Sequence, residues 1–272
     1  MLIIAKAPFW KEREMSEKGV KVEQMKRAIL LVSYGVASRS VWTKTLERLE
    51  AEVRRAWPDW TVKQAFTGRR ILEKCCSEGF CMQNEEQALA ELVQDGYEKI
   101  VVLPTYMTFG SEYNKVVTAV EGLSFECKMG LPLLGNEVLR RQAAEALIHE
   151  IQLADGETAL YIGHGTKQEK DQVYELLEKA VQRAGQNTAI IGTLENAEST
   201  VARVDTKRVR LVPLLLTAGR HALRDVCGEE ERSIASKLRA VGAEVECIEK
   251  GLLEYGSIRR IYLDQLRELI CG

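Results

Sequence analysis

The run Leu160-Tyr161-Ile162-Gly163-His164-Gly165 decides how this chain is read. An apolar run ending in Gly-His-Gly is a buried strand that turns sharply at its carboxyl end, because glycine accepts backbone angles and close approaches denied to other residues. In an open α/β sheet that edge is where ligands are kept, which puts His164 at a binding position. The later run Val212-Pro213-Leu214-Leu215-Leu216-Thr217-Ala218-Gly219-Arg220-His221 repeats the theme: an apolar strand, breakers at Pro213 and Gly219, then a histidine. Two of the chain's three histidines stand beyond strand ends in this way.

Outward from these runs, strands alternate with helices. Strands are expected at Ala28 to Ser33, Thr61 to Phe66, Lys99 to Leu103, Glu126 to Met129, up to Ile162, Thr188 to Leu194, Val209 to Val212 and Glu244 to Ile248. Helices are expected from Ser40 to Trp57, Asn84 to Asp95, Ser111 to Glu121, Glu137 to Ile151, Glu169 to Ala184, Ser233 to Ala240 and Ser257 to Ile270. Thr67 to Gln83 reads as an irregular piece. The alternation predicts an α/β protein with parallel sheets.

The two halves also overlay. Ile29 to Tyr34-Gly35 matches Ala159 to His164-Gly165, and Pro104, Thr108, Gly110 and Glu112 match Pro213, Thr217, Gly219 and His221 at the same spacing. Tyr34 is thus the counterpart of His164, and Glu112 of His221. The expectation is an extension over 1–24, an N-terminal lobe over 25–150 and a C-terminal lobe over 151–272, with the last helix able to pack on the first lobe. Two such lobes facing one another form a cleft lined by these strand ends.

With 272 residues, 46% of them hydrophobic, the chain can bury a sizeable core. A net charge of −2 with both signs mixed argues against nucleic acid or an anionic membrane as partner. No segment approaches the roughly 18 uninterrupted apolar residues of a spanning helix, and the N-terminus lacks the pattern of a signal peptide. Seven cysteines without C-x-x-C spacing are expected to be reduced, mostly structural thiols of a cytoplasmic protein, with Cys75, Cys76 and Cys81 clustered.

His164, Glu195 and His221 stand at or just beyond the ends of three second-half strands. Neighbouring strands lie about 5 Å apart, so groups at adjacent ends can converge on one ion. Two imidazoles and a carboxylate suit divalent cobalt, nickel, iron or zinc better than magnesium or calcium. No G-x-S-x-G elbow, P-loop or G-x-G-x-x-G is present, which argues against a serine hydrolase or a nucleotide-binding enzyme.

Met25-Lys26-Arg27-Ala28-Ile29-Leu30-Leu31-Val32-Ser33-Tyr34-Gly35, Ala65-Phe66-Thr67, Gly110-Ser111-Glu112-Tyr113, Gly130-Leu131-Pro132-Leu133-Leu134, Gly163-His164-Gly165 and Pro213 to Ala222 together resemble the anaerobic-type sirohydrochlorin cobaltochelatases, class II chelatases that insert Co²⁺ into a tetrapyrrole on the way to cobalamin. The resemblance runs in order over roughly 25 to 272. It implies two flavodoxin-like lobes with the macrocycle between them, no ATP and no organic cofactor, with sirohydrochlorin and Co²⁺ as partners. It places the metal on His164, Glu195 and His221, and the catalytic groups at His164, His221 and the first-lobe acid Glu112. Ser33, Tyr34, Tyr106, Gly165 and Leu131 are the expected substrate contacts, and Arg39, Arg69, Arg70, Lys115 and Arg220 the candidate partners for substrate carboxylates. The sequence departs from the family where it has Tyr106 in place of histidine. Iron or nickel as the metal, a non-catalytic tetrapyrrole or metal carrier on the same fold, and self-association all remain open at this level.

Overall fold

In the computed structural model, residues 25–123, 125, 127–165 and 172–272 are described, apart from the side chains of 220–222. The extension over 1–24, the expected helix start at 169, and the side chains of Arg220 and His221 therefore lie outside the described residues.

The first half contains β1 (Arg27–Ser33), β2 (Thr61–Phe66), β3 (Lys99–Thr105) and β4 (Cys127–Met129), all parallel in the order β2-β1-β3-β4. The second half contains β5 (Glu157–Gly163), β6 (Ile190–Thr193), β7 (Arg208–Pro213) and β8 (Glu244–Cys247), parallel in the order β6-β5-β7-β8. The two orders are the same once renumbered, so the sequence repeat is a repeat of topology. β1 and β5 are central in their sheets and apolar along nearly their whole length, as strands covered on both faces must be.

The helices are α1 (Arg39–Lys44), α2 (Leu46–Ala56), α3 (Arg69–Ser77), α4 (Glu85–Gln94), α5 (Ser111–Glu121), α6 (Glu137–Glu150), α7 (Gln172–Arg183), α8 (Ala197–Val201), α9 (Arg220–Cys227), α10 (Ile234–Ala240) and α11 (Gly256–Cys271). None among the described residues is long and apolar enough to cross a membrane.

Three expectations are corrected. The single helix over Ser40 to Trp57 is two, broken where the Thr45 hydroxyl donates to the Val41 carbonyl at 2.6 Å and its backbone leaves the helical region. Thr67 to Gln83 is not irregular throughout but holds α3, a helix of nine residues whose only buried residue is Cys75. The cysteines are not all reduced, because a disulfide joins Cys76 to Cys81.

The last helix, α11, crosses back to the first half. Ile258, Ile261, Tyr262, Leu266 and Leu269 are buried in the core cluster that also holds Val101 and Leu103 of β3, each worth about 1.5–3 kcal/mol as an upper estimate. Two of its polar side chains reach across: the Gln265 side chain accepts from the Leu131 amide at 3.0 Å, and Arg259 pairs with Glu52 of α2 at 2.8 Å.

Candidate active site

The carboxyl ends of both sheets open onto one cleft of about 590 Å³, within the roughly 300–1,000 Å³ usual for small-molecule sites. β1 leads out through Ser33 to Tyr34, which is half exposed on the cleft. Gly35 then turns at a φ of 95°, and a Cβ there would lie 2.5 Å from the Phe66 ring, so both conformation and space require glycine. β3 runs into Tyr106 and the loop to α5, whose residues from Met107 to Tyr113 form one wall. From the second half come His164 and Gly165 beyond β5, Tyr174 of α7, and Leu214 and Leu215 beyond β7. The Tyr174 ring fills the place of a side chain at Gly163, where a Cβ would lie 2.6 Å from it.

Five aromatic rings (Tyr34, Tyr106, Phe109, Tyr113 and Tyr174) share this cleft, Phe109 and Tyr113 meeting edge to face at 5.0 Å. Among them stands a carboxylate. Glu112 receives Lys115 Nζ on Oε1 at 2.8 Å, and Lys115 also donates to the Thr67 carbonyl at 3.4 Å. Glu112 Oε2 is buried with no hydrogen-bond partner among the described residues. The Tyr106 hydroxyl meets the Thr67 hydroxyl at 3.0 Å. Burial, with Glu112 and Glu85 nearby adding to it, pushes the Tyr106 phenol well above its ordinary range, so it stays protonated.

On the second-half side, β5 and β6 end in register, with Gly163 opposite Thr193, and the Leu194 amide donates to the Gly163 carbonyl at 3.0 Å. Glu195 is thereby brought against the His164 turn, its Cγ 3.3 Å from where a Cβ on Gly165 would sit. His221 is the second residue of α9, as Glu112 is of α5, each helix following a glycine cap. Among the described residues no three His, Cys, Asp or Glu side chains converge as a metal site, and the His221 side chain is outside that set.

Ser33 and Leu131 stand off the lining. Ser33 is buried with its carbonyl accepting from the Thr67 amide at 2.9 Å, and Leu131 is turned toward α11 through its amide. Arg69 and Arg70 are exposed in the first turn of α3, directly after Gly68, whose amide donates to the Tyr34 carbonyl at 3.1 Å. Arg39 lies over the Trp42 ring at 4.5 Å.

A family model described as "Cobalt chelatase (CbiK)" matches residues 27–271. The chain belongs to this cobalt chelatase family. A protein of Salmonella typhimurium named sirohydrochlorin cobaltochelatase is 27% identical over 257 residues, 90% of this chain and 97% of that one. A protein of Nitratidesulfovibrio vulgaris named sirohydrochlorin cobaltochelatase CbiKC is 28% identical over 271 residues, 95% of this chain and 96% of its own. The fold is that of the sirohydrochlorin chelatase SirB of Bacillus subtilis subspecies spizizenii in complex with cobalt, with a TM-score of 0.64 at 17% identity over 90% of this chain and 95% of the other.

The chelatase cleft includes residues that the sequence did not single out. Met107, Phe109, Tyr174, Leu214 and Leu215 join it only because loops and α7 fold over the strand ends. Glu85, in the first turn of α4, is 7% exposed, and its Oε2 is buried with no hydrogen-bond partner among the described residues. A carboxylate on the apolar face of α4, at the spacing of Ala88, Leu89 and Leu92, is the signal that could have found it.

Proposed function

We propose that this chelatase inserts Co²⁺ into sirohydrochlorin, without ATP or an organic cofactor, in the cytoplasm and as a step toward cobalamin. The observation that carries the reading is the single aromatic cleft in which His164 of the second half and the half-gripped carboxylate of Glu112 of the first share one space, in a chain of the cobalt chelatase family. The names of its relatives support the choice of sirohydrochlorin and cobalt.

In this reading the lobes are 25–150 and 151–272, and the macrocycle lies against the rings between them. His164, Glu195 and His221 present the ion. Three protein ligands leave open positions through which the metal passes to the ring nitrogens, where a closed four-ligand cage would retain it. Imidazole ligates only when neutral, so the ion is held less well as pH falls. Each insertion releases two pyrrole protons. Glu112 takes a proton on Oε2, while Lys115 keeps Oε1 occupied and the carboxylate fixed. Tyr34, Tyr106 and Gly165 contact the macrocycle, Ser33 and Leu131 support that wall from behind, and Arg69 and Arg70 meet its peripheral carboxylates.

An anaerobic absorbance assay with excess sirohydrochlorin and Co²⁺ tests this. Many turnovers by the wild type, falling to the spontaneous rate in both His164→Ala and His221→Ala, are expected. One equivalent of spectral change would instead indicate a carrier, and full activity in the variants would remove the metal assignment. Faster insertion of Fe²⁺ or Ni²⁺ under the same conditions would change the metal and keep the site.

A further inference from the structure

Gly163 is the last residue of β5 and stands directly before His164. Unlike Gly165, its φ lies outside the left-handed region that favours glycine, so its backbone conformation does not call for one. What it lacks is room. A Cβ there would lie 2.6 Å from Tyr174 Cε1, 2.9 Å from Cζ and 3.0 Å from the hydroxyl, all too close for a methyl to pack. A glycine in a strand weakens it and marks the close approach of another group, and here that group is the ring. In the first half the same position holds Ser33, while Gly35 and Gly165 both keep the glycine that follows the turn residue. The extra glycine belongs to the half that carries the histidine.

Tyr174 is delivered by α7. Tyr174, Leu177 and Val181 are buried at helical spacing and share a core cluster with Ala159 and Tyr161 of β5, so one stripe of the helix covers the strand face on which alternate residues lie. Gly163 is next in that alternation. The ring reaches the cleft, which it lines together with His164. On the strand side the Gly163 carbonyl accepts from the Leu194 amide at 3.0 Å, and beyond the histidine Thr193 and Glu195 crowd Gly165. A residue between two glycines has a permissive backbone on either side unless both are packed against. A metal ligand, by contrast, must be held within roughly 0.5 Å of its productive position.

We propose that Tyr174 is the positioning residue of His164: its ring, docked on Gly163, fixes the direction in which the imidazole meets the ion. The inference rests on the chelatase reading above, in which His164 is a metal ligand. It gives the ring a part separate from any contact with the macrocycle, because holding His164 changes Co²⁺ affinity when no tetrapyrrole is present and contact with the macrocycle does not.

The test is anaerobic calorimetric titration with Co²⁺ alone, beside sirohydrochlorin affinity by absorbance and a Tm for each protein, in wild type, His164→Ala, Tyr174→Phe, Tyr174→Ala, Gly163→Ala and the Gly163→Ala/Tyr174→Ala pair. Tyr174→Ala should weaken Co²⁺ binding about 10–100-fold, the range for groups that orient metal ligands. Tyr174→Phe keeps the ring and should bind as the wild type does. Gly163→Ala should reproduce the loss by displacing the ring. The pair should bind no more weakly than Tyr174→Ala alone, because the added methyl then enters vacated space. A lower Tm or weaker sirohydrochlorin binding in Tyr174→Ala at unchanged Co²⁺ affinity would overturn the positioning role, as would an equal loss in Tyr174→Phe or additive losses in the pair. Should Tyr174→Ala fail to fold, wild-type Co²⁺ affinity in Gly163→Ala would overturn it equally. A wild type that binds no Co²⁺, or a His164→Ala that binds it unchanged, would instead remove the metal assignment and the role with it.

Discussion

Gly165 turns the end of β5 at a φ of 90°, and a methyl there would sit 3.2 Å from Thr193 Cβ and 3.3 Å from Glu195 Cγ. Gly165→Ala combines strain with crowding and should cost about 1–3 kcal/mol, seen as a lower urea midpoint at unchanged m-value. Because the new methyl presses on Glu195, calorimetric titration should also show weaker Co²⁺ binding. The buried phenols set a second expectation. Burial, together with Glu150 and Glu254, pushes the Tyr255 phenol up to about 12, and burial raises Tyr113 and Tyr262 as well. The folded chain keeps protons that the unfolded chain gives up near a pH of about 10, so their contribution is whole below that pH and is lost as pH rises toward the folded values. Urea midpoints should therefore fall steeply above a pH of about 10, and a flat profile there would contradict the burial. At this scale the Gly-His-Gly turn was legible because glycine and an apolar run are local signals. Tyr174 was not, since its ring meets Gly163 only once α7 has docked.

Among the elements, the capped start of α4 could be read directly from Asn84 and Gln87, because a capping box is a four-residue pattern. α3 and α9 could not. α3 has nine residues and α9 eight, about two turns each, too short a window for the helical period to be told from a loop however amphipathic the segment. The Cys76–Cys81 pair was equally hidden, because five residues of separation fix no geometry until Gly79 turns the chain at a φ of 83°. Closing so short a loop should contribute about 2 kcal/mol by restricting the unfolded chain. Calorimetric scans of Cys81→Ser, or of wild type under reductant, should show that loss as a lower Tm. No shift in either would mean that the loop is equally ordered without the bond.

For the whole molecule, the doubled plan was legible because each half repeats a strand, a breaker and a polar residue at fixed spacing, and the sheets carry that repeat as one strand order used twice. What the repeat could not reveal is how α11 joins the halves. Arg259, 8% exposed, donates to Glu52 at 2.8 Å and to the Leu253 carbonyl at 2.7 Å. Arg259→Met should cost about 1–3 kcal/mol in urea unfolding, because Glu52 loses its partner while it is still partly screened by solvent. Adding Glu52→Leu should recover part of that, and no recovery would assign the loss to packing alone.

The return of α11 also bears on the order in which a ribosome can finish this protein. Domains emerging early in translation usually fold as they appear, but here the early sheet lacks part of its cover until α11 is made. Tyr262, Leu266 and Leu269 complete its core, and the Leu131 amide meets Gln265 across 134 positions. The wall that carries Tyr106 thus reaches its final form only after α11 has left the exit tunnel, and until then the early sheet is half built.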